Sequence, residues 1–278
     1  MKGAFAASAI VGLLCGLSAA VPTFAQTAAG EKAQNQVDET VWIVTLGGGT
    51  EYGPAYEGAK NQSFDFVPSI DIRRLGEPAD LSAPDDNIDY SLVEWSGLEL
   101  GPVAGIRGQR TALDEGTLAG LQAVPLSVDA GAFAQYWMLP DTFRLRVEAR
   151  QGLRRQDGFV ADFGADMFRP FGSKLVLSAG PRLSLADTNY MRNNLGITAE
   201  EAATNGNLSA FDIGGGLKSV GFVIGASYQF TDTMSVQVYD KFDRLVGAAA
   251  DSPIVTDIGS ANQNIIGIVL SRSFEVRF

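Results

Sequence analysis

Ile266-Gly267-Ile268-Val269-Leu270-Ser271-Arg272-Ser273-Phe274-Glu275-Val276-Arg277-Phe278 alternates between two kinds of side chain. Ile266, Ile268, Leu270, Phe274, Val276 and Phe278 share one face. Gly267, Ser271, Ser273, Glu275 and Arg277 share the other. A period of two with one apolar face describes a strand lying against something apolar. In a water-soluble sandwich that something is a protein core. In a closed barrel of the bacterial outer membrane it is lipid.

The opposite end of the chain favours lipid. Lys2 precedes an apolar run over 4–20, and Thr23-Phe24-Ala25 supplies small residues for cleavage after Ala25, so residues 1–25 are expected to be a secretory signal peptide. Cys15 belongs to that segment. Residues 26–40 are polar and read as a flexible periplasmic leader. An exported chain with an alternating last strand and a terminal aromatic suits the barrel-assembly machinery, and Phe274, Val276 and Phe278 are the candidate assembly signal.

What is missing excludes several chemistries. The sequence has no His, and its one Cys is Cys15. Without them there is no disulfide scaffold, no Cys/His zinc site and no imidazole-based triad. No catalytic, cofactor or metal site is expected. With 32 Asp and Glu against 21 Lys and Arg, the formal net charge is -11, so duplex nucleic acid is not an expected partner.

Alternation recurs along the rest of the chain. Phe64, Phe66, Ile70 and Ile72 oppose Asp65, Ser69, Asp71 and Arg73. Phe143, Leu145, Val147 and Ala149 oppose Arg144, Arg146, Glu148 and Arg150. Phe222, Ile224, Ala226 and Tyr228 oppose Gly225, Ser227 and Gln229. Segments run to about ten residues, the length that crosses a bilayer at a tilt. Tyr and Trp collect near their ends, as at a headgroup interface.

The expected fold is all-β, a closed antiparallel transmembrane barrel over 41–278. Its strands fall near 41–51, 63–73, 87–95, 97–110, 123–137, 142–153, 158–169, 174–185, 208–218, 220–230, 233–245 and 264–278. That is about 12 strands, with 10 as the alternative because 87–95 and 208–218 alternate least clearly. Thr231-Asp232 and Lys218-Ser219 read as hairpin turns. Strand parity then puts loops 52–62 and 246–263 outside, and 74–86 and 186–207 in the periplasm. Within the last of these, Thr198 and Glu201 have capping-box spacing for a short helix.

Several segments, in order, resemble one family, the MltA-interacting proteins, which include the OmpV-type outer membrane proteins. Gly47-Gly48-Gly49 followed by Pro54-Ala55-Tyr56-Glu57-Gly58 is similar to its first strand and loop. Gly101-Pro102, Gly131 to Tyr136, Tyr190-Met191, Leu195 to Thr198 with Glu201-Ala202, Gly214 to Lys218 and Tyr239 to Gly247 resemble further segments. Asp251-Ser252-Pro253-Ile254-Val255 is the most distinctive. Leu195 stands where the family usually has Phe. The resemblance implies a non-enzymatic barrel that scaffolds a lytic transglycosylase and a peptidoglycan synthase. Tyr190, Leu195, Thr198 and Glu201 are then the candidate partner-facing segment.

Read from the residues, the inward face is a mixed-charge lumen. Its candidates are Arg107, Asp129, Arg144, Arg146, Glu148, Arg150, Asp162, Asp166, Arg182, Glu275 and Arg277, with Asp212, Lys218, Lys241 and Asp243 beside them. Such a wall serves either as a salt-bridge filling or as a small porin-like channel whose arginines favour anions. A surface adhesin acting through the outer loops is a further alternative. Asp85-Asp86 and Asp114-Glu115 read as solvated loop acids. The triplets 47–49 and 214–216 lack the ending of a phosphate loop.

Outer membrane lipid and the assembly machinery are the partners this reading demands. Phe278→Ser removes the apolar terminus and is expected to lower the heat-modifiable folded fraction in outer membranes, while Glu275→Gln leaves it unchanged. Equal folded fractions for Phe278→Ser and wild type would refute the assignment.

Overall fold

The structure is a computed structural model describing residues 41–77, 79, 81–112, 114–154 and 156–277. The expected signal peptide and leader, and Phe278, lie outside the described residues. Twelve strands form one antiparallel sheet. They are β1 (Val41–Pro54), β2 (Gln62–Arg74), β3 (Ile88–Asp89), β4 (Val93–Trp95), β5 (Leu98–Arg107), β6 (Ser127–Leu139), β7 (Phe143–Gly152), β8 (Phe159–Phe171), β9 (Leu175–Ala186), β10 (Gly216–Thr231), β11 (Met234–Leu245) and β12 (Asn262–Arg277). Short helices α1 (Thr188–Leu195), α2 (Ala199–Asn205) and α3 (Pro253–Thr256) lie in the long connections.

The hydrogen-bonded order is β2-β1-β12-β11-β10-β9-β8-β7-β6-β5-β3, with β4 also on β5. The first strand pairs with the last, from Val41 opposite Arg277 to Tyr52 opposite Ile266. The alternation has its expected consequence. Leu145, Phe163, Phe222, Ile268, Leu270 and Phe274 stand exposed outside, while Arg144, Arg146, Asp129, Asp166 and Gln135 are buried inside. The fold is thus an all-β, nearly closed transmembrane barrel of ten long strands and two short ones.

Two expected strands come out differently. The segment 87–95 breaks into β3 and β4, both against β5. The segment 208–218 forms no strand of its own, and only its last three residues belong to a strand, β10. Leu208 and Ile213 are buried beneath the loops, and 214–216 has no side chain to offer lipid. Lys218-Ser219 is accordingly no hairpin turn. It lies inside β10, where the register against β9 shifts between Leu217 and Ser219.

Losing that strand changes the sidedness of one loop. Strand directions place 187–215 at the same end as 55–61, 108–126, 153–158 and 246–261, not at the opposite end, where β2 finishes. The opposite end has the tight connections 96–97, 140–142, 172–174 and 232–233. Short turns on one side and long loops on the other are the usual outer-membrane arrangement, with the short turns periplasmic.

The long loops weld into a cap over two apolar clusters. One holds Tyr190, Met191, Leu195, Ile213, Leu245 and Val255; the other holds Tyr56, Leu118, Ile197, Leu208 and Ile254. The Ser252 hydroxyl donates to the Leu195 carbonyl at 2.6 Å, and Ala59 bridges Gly259.

The wall closes imperfectly. Antiparallel neighbours alternate in direction, so β2 and β3, at the two ends of an eleven-strand path, run the same way. β3 comes close to β2 without pairing to it.

Leu145→Arg puts a charge against lipid and is expected to cost about 2–4 kcal/mol near the midplane. A denaturant titration in micelles reads that loss; an unchanged midpoint would mean residue 145 does not meet lipid.

Candidate functional site: a charged lumen crossed by the chain

The site is built on β7. Its period of two sends Arg144, Arg146, Glu148 and Arg150 to the inner face, neighbouring side chains about 7 Å apart. Arg144 is 1% exposed. A guanidinium is tolerated there only if carboxylates surround it, and neighbouring strands supply some. Arg144 Nη2 meets Asp166 of β8 at 2.7 Å, and Arg182 of β9 reaches the other oxygen of Asp166 at 2.7 Å. Arg146 pairs with Glu148 at 2.8 Å. Arg150 pairs with Asp162 and approaches Glu148 at 3.4 Å.

The remaining counter-charges come from the connection after β2. Instead of turning at the rim, 81–90 folds into the lumen. Asp86 takes a fork of two hydrogen bonds from Arg144, at 2.8 and 3.0 Å, and lies 3.5 Å from Arg146. Asp85 reaches the far wall, accepting from Arg182 at 2.8 and 2.9 Å, with Lys241 at 3.6 Å. Asn87 donates to Glu148 at 2.7 Å, and Asp89 pairs with Arg146. Pro84 seats against Gly225 of β10, where a Cβ would come within 2.5 Å of its ring. The segment therefore spans the barrel from β7 to β10.

Around it a cavity of about 600 Å³ reaches the wall on all sides. Nine carboxylates line it against six Arg and Lys side chains. The expectation of an anion-favouring Arg ladder does not fit this balance, because the ladder's arginines are paired and the inward segment adds acids.

The other sequence candidates divide. Arg107 pairs with Asp129 at 2.7 Å, bonds the Asp157 carbonyl and lies over the Tyr190 ring. Lys218 meets Glu57 at 2.8 Å, and Lys241 meets Asp243 at 3.4 Å. Asp212 is outside the lumen, on the surface with Arg192. Glu275 and Arg277 are exposed at the chain-end rim and join no ion pair among the described residues. In the candidate assembly signal, Phe274 faces outward under Arg272 and Val276 is half-buried.

The candidate partner-facing residues do structural work in the cap. Leu195 is fully buried. Tyr190 is buried and donates to Glu57 at 2.8 Å; burial, then the Glu57 charge, raises its pKa well above the usual phenol value. Thr198 and Glu201 close the capping box of α2, and Glu201 also accepts from the Gln122 N–H at 2.7 Å.

Asp85, Asp86, Asn87 and Asp89 are the site residues that sequence reasoning missed. The available signal was the acidic stretch itself: Asp85, Asp86 and Asp89 follow β2 in a chain whose β7 turns three arginines to one inner face. Among the described residues no group of three or more His, Cys, Asp or Glu is placed to hold a metal ion.

An apolar exterior, a charged interior and one-sided loops define a β-barrel protein of the bacterial outer membrane. The chain belongs to the family described as MltA-interacting protein MipA, which it matches over residues 46–274. No curated protein matches it in sequence. Solved barrels are similar only distantly. The COG4313 outer membrane channel of Pseudomonas putida F1 is 10% identical with a TM-score of 0.39, over 89% of this chain and 100% of that one. OmpT of Vibrio cholerae is 8% identical with a TM-score of 0.36, over 88% and 100%. OmpF of Salmonella typhi is 13% identical with a TM-score of 0.34, over 67% of this chain, which spans about half of that one, 48%.

Arg144→Leu leaves Asp86 and Asp166 without their shared partner and is expected to destabilise by about 3–5 kcal/mol, more than Leu145→Arg. Denaturant titration of both variants tests the order. A milder effect of Arg144→Leu would mean the ion pairs contribute little to the fold.

Proposed function

We propose that the barrel is a narrow, cation-preferring channel whose lumen is partly filled by the inward segment 81–90. The supporting observation is the cavity itself, where carboxylates exceed Arg and Lys and a stretch of the chain's own backbone crosses the water path. Lumen charge sets selectivity through the local potential, so an acid excess raises cation occupancy. The segment hangs on side-chain ion pairs across most of its span, and its main acids are two adjacent residues.

Planar-bilayer recording tests the reading. Wild type is expected to give small unitary steps, with a reversal potential in a salt gradient of the sign for cations. Asp85→Ala with Asp86→Ala releases the crossing and is expected to raise conductance several-fold. Folded protein with no unitary conductance in either form would remove the channel reading.

Family membership favours a second reading, a scaffold for a lytic transglycosylase and a peptidoglycan synthase. Such a partner would meet the short-turn end, since the segment 186–207 lies with the long loops. Capture of purified transglycosylase by the wild-type barrel, lost when 140–142, 172–174 and 232–233 are replaced, would support it. No capture would remove it.

A further inference from the structure

We propose that the seam between β2 and β5 is a lateral entrance by which cationic amphiphiles pass from the membrane into the lumen. The proposal deepens the channel reading by naming a substrate class and a route.

Four observations meet at this seam. First, β2 has no hydrogen-bonded neighbour on its outer edge, and the strand facing it, β3, is two residues long. Backbone groups left unpaired in hydrocarbon cost several kcal/mol each unless water or a polar group reaches them. Second, Phe64 and Phe66 are 74% and 73% exposed, whereas Phe163 and Phe222, flanked by strands on both sides, are 42% and 46%. The excess is what an absent neighbour leaves uncovered. Third, the lumen cavity touches both banks, Asp65 to Pro68 on β2 and Ala104 to Gly108 at the end of β5. Fourth, the inner bank is acidic. Asp65 is exposed, and its one described partner is the Ser63 hydroxyl. Beyond it lies the carboxylate excess of the cavity.

These features select the ligand chemistry. The outer rim of Phe64, Phe66, Ile106 and Leu126 accepts an apolar chain from lipid. Inside, a positive head group meets Asp65 and the acidic cavity. An anionic amphiphile meets repulsion at the same point. A small hydrophilic cation gains nothing from a route through lipid.

The test uses the full barrel in vesicles, with p-benzoylphenylalanine at Val67 on the inner bank or Phe66 on the outer bank. Dodecyltrimethylammonium is the probe and dodecyl sulfate the charge control, both below micellar concentration. The ammonium probe is expected to form adducts at Val67, several-fold fewer with Asp65→Asn, while dodecyl sulfate forms them at Phe66 alone. Ammonium adducts confined to Phe66 would overturn the entrance, and equal labelling of Val67 by both probes would overturn its charge selectivity. Chain-to-chain adducts at Phe66 would overturn it by showing the seam filled by a second copy. If the Val67 variant fails the heat-modifiability test, Val67→Cys carrying a fluorophore, with quenching by 12-bromododecyltrimethylammonium, gives the same discrimination. Conductance of the same vesicles separates the two proposals. Labelling at Val67 without conductance keeps the entrance and removes the channel, and conductance without labelling does the reverse.

Discussion

Arg144, Arg146 and Arg150 stand on one inward strand face, and a buried guanidinium without a carboxylate is among the costliest things a fold can contain. β8 supplies Asp162 and Asp166, and Glu148 sits within the ladder. Arg182 shares Asp166 with Arg144, and Arg150 shares Glu148 with Arg146, so the Arg144 and Arg146 end is under-neutralised. Asp85, Asp86 and Asp89 complete it, and they come from a connection that must leave the rim to do so. The path of 81–90 is thus fixed by charge, with Pro84 against Gly225 as its steric stop.

That path changes the wall. A barrel with both ends of its sheet antiparallel needs an even number of crossings. Here the ascent from the end of β2 to β3 runs through the lumen and contributes no wall strand. Eleven positions remain on the hydrogen-bonded path, and its two ends run in the same direction. The lumen ion pairs and the unpaired seam are therefore two results of one rerouted connection. Filling the interior with chain removed a strand from the boundary.

Most of the wall was legible in the sequence because lipid and lumen impose opposite demands on alternate residues. Phe143 to Arg150 states its facing outright, and so does Ile266 to Arg277. The legibility stopped where side chains answered to something other than the wall. The segment 208–218 was expected as a wall strand, but Leu208 and Ile213 are buried in the cap, and an apolar side chain in the sequence does not say which apolar surface it meets. That error moved 186–207 to the wrong end. Asp85 and Asp86 looked like solvated loop acids because adjacency in a polar stretch says nothing about depth. Thr198 and Glu201 were readable because a capping box is local, needing two residues three apart.

Cap and lumen are one electrostatic body. Tyr190, on α1, donates to Glu57 of the first long loop, and Glu57 accepts from Lys218 of β10 at 2.8 Å. The Arg107 guanidinium lies 4.5 Å from the centre of the Tyr190 ring and pairs with Asp129, which Arg150 approaches at 3.9 Å. Arg150 belongs to the ladder that holds the inward segment. A cap that lifted away would break the Glu57 contacts and uncover Arg107, so axial opening acts against the same charges that keep the lumen filled. The seam carries no such tie, because its banks are joined by neither an ion pair nor a strand pairing among the described residues. Of the ways into this barrel, the lateral one disturbs the fewest of the interactions that hold it together.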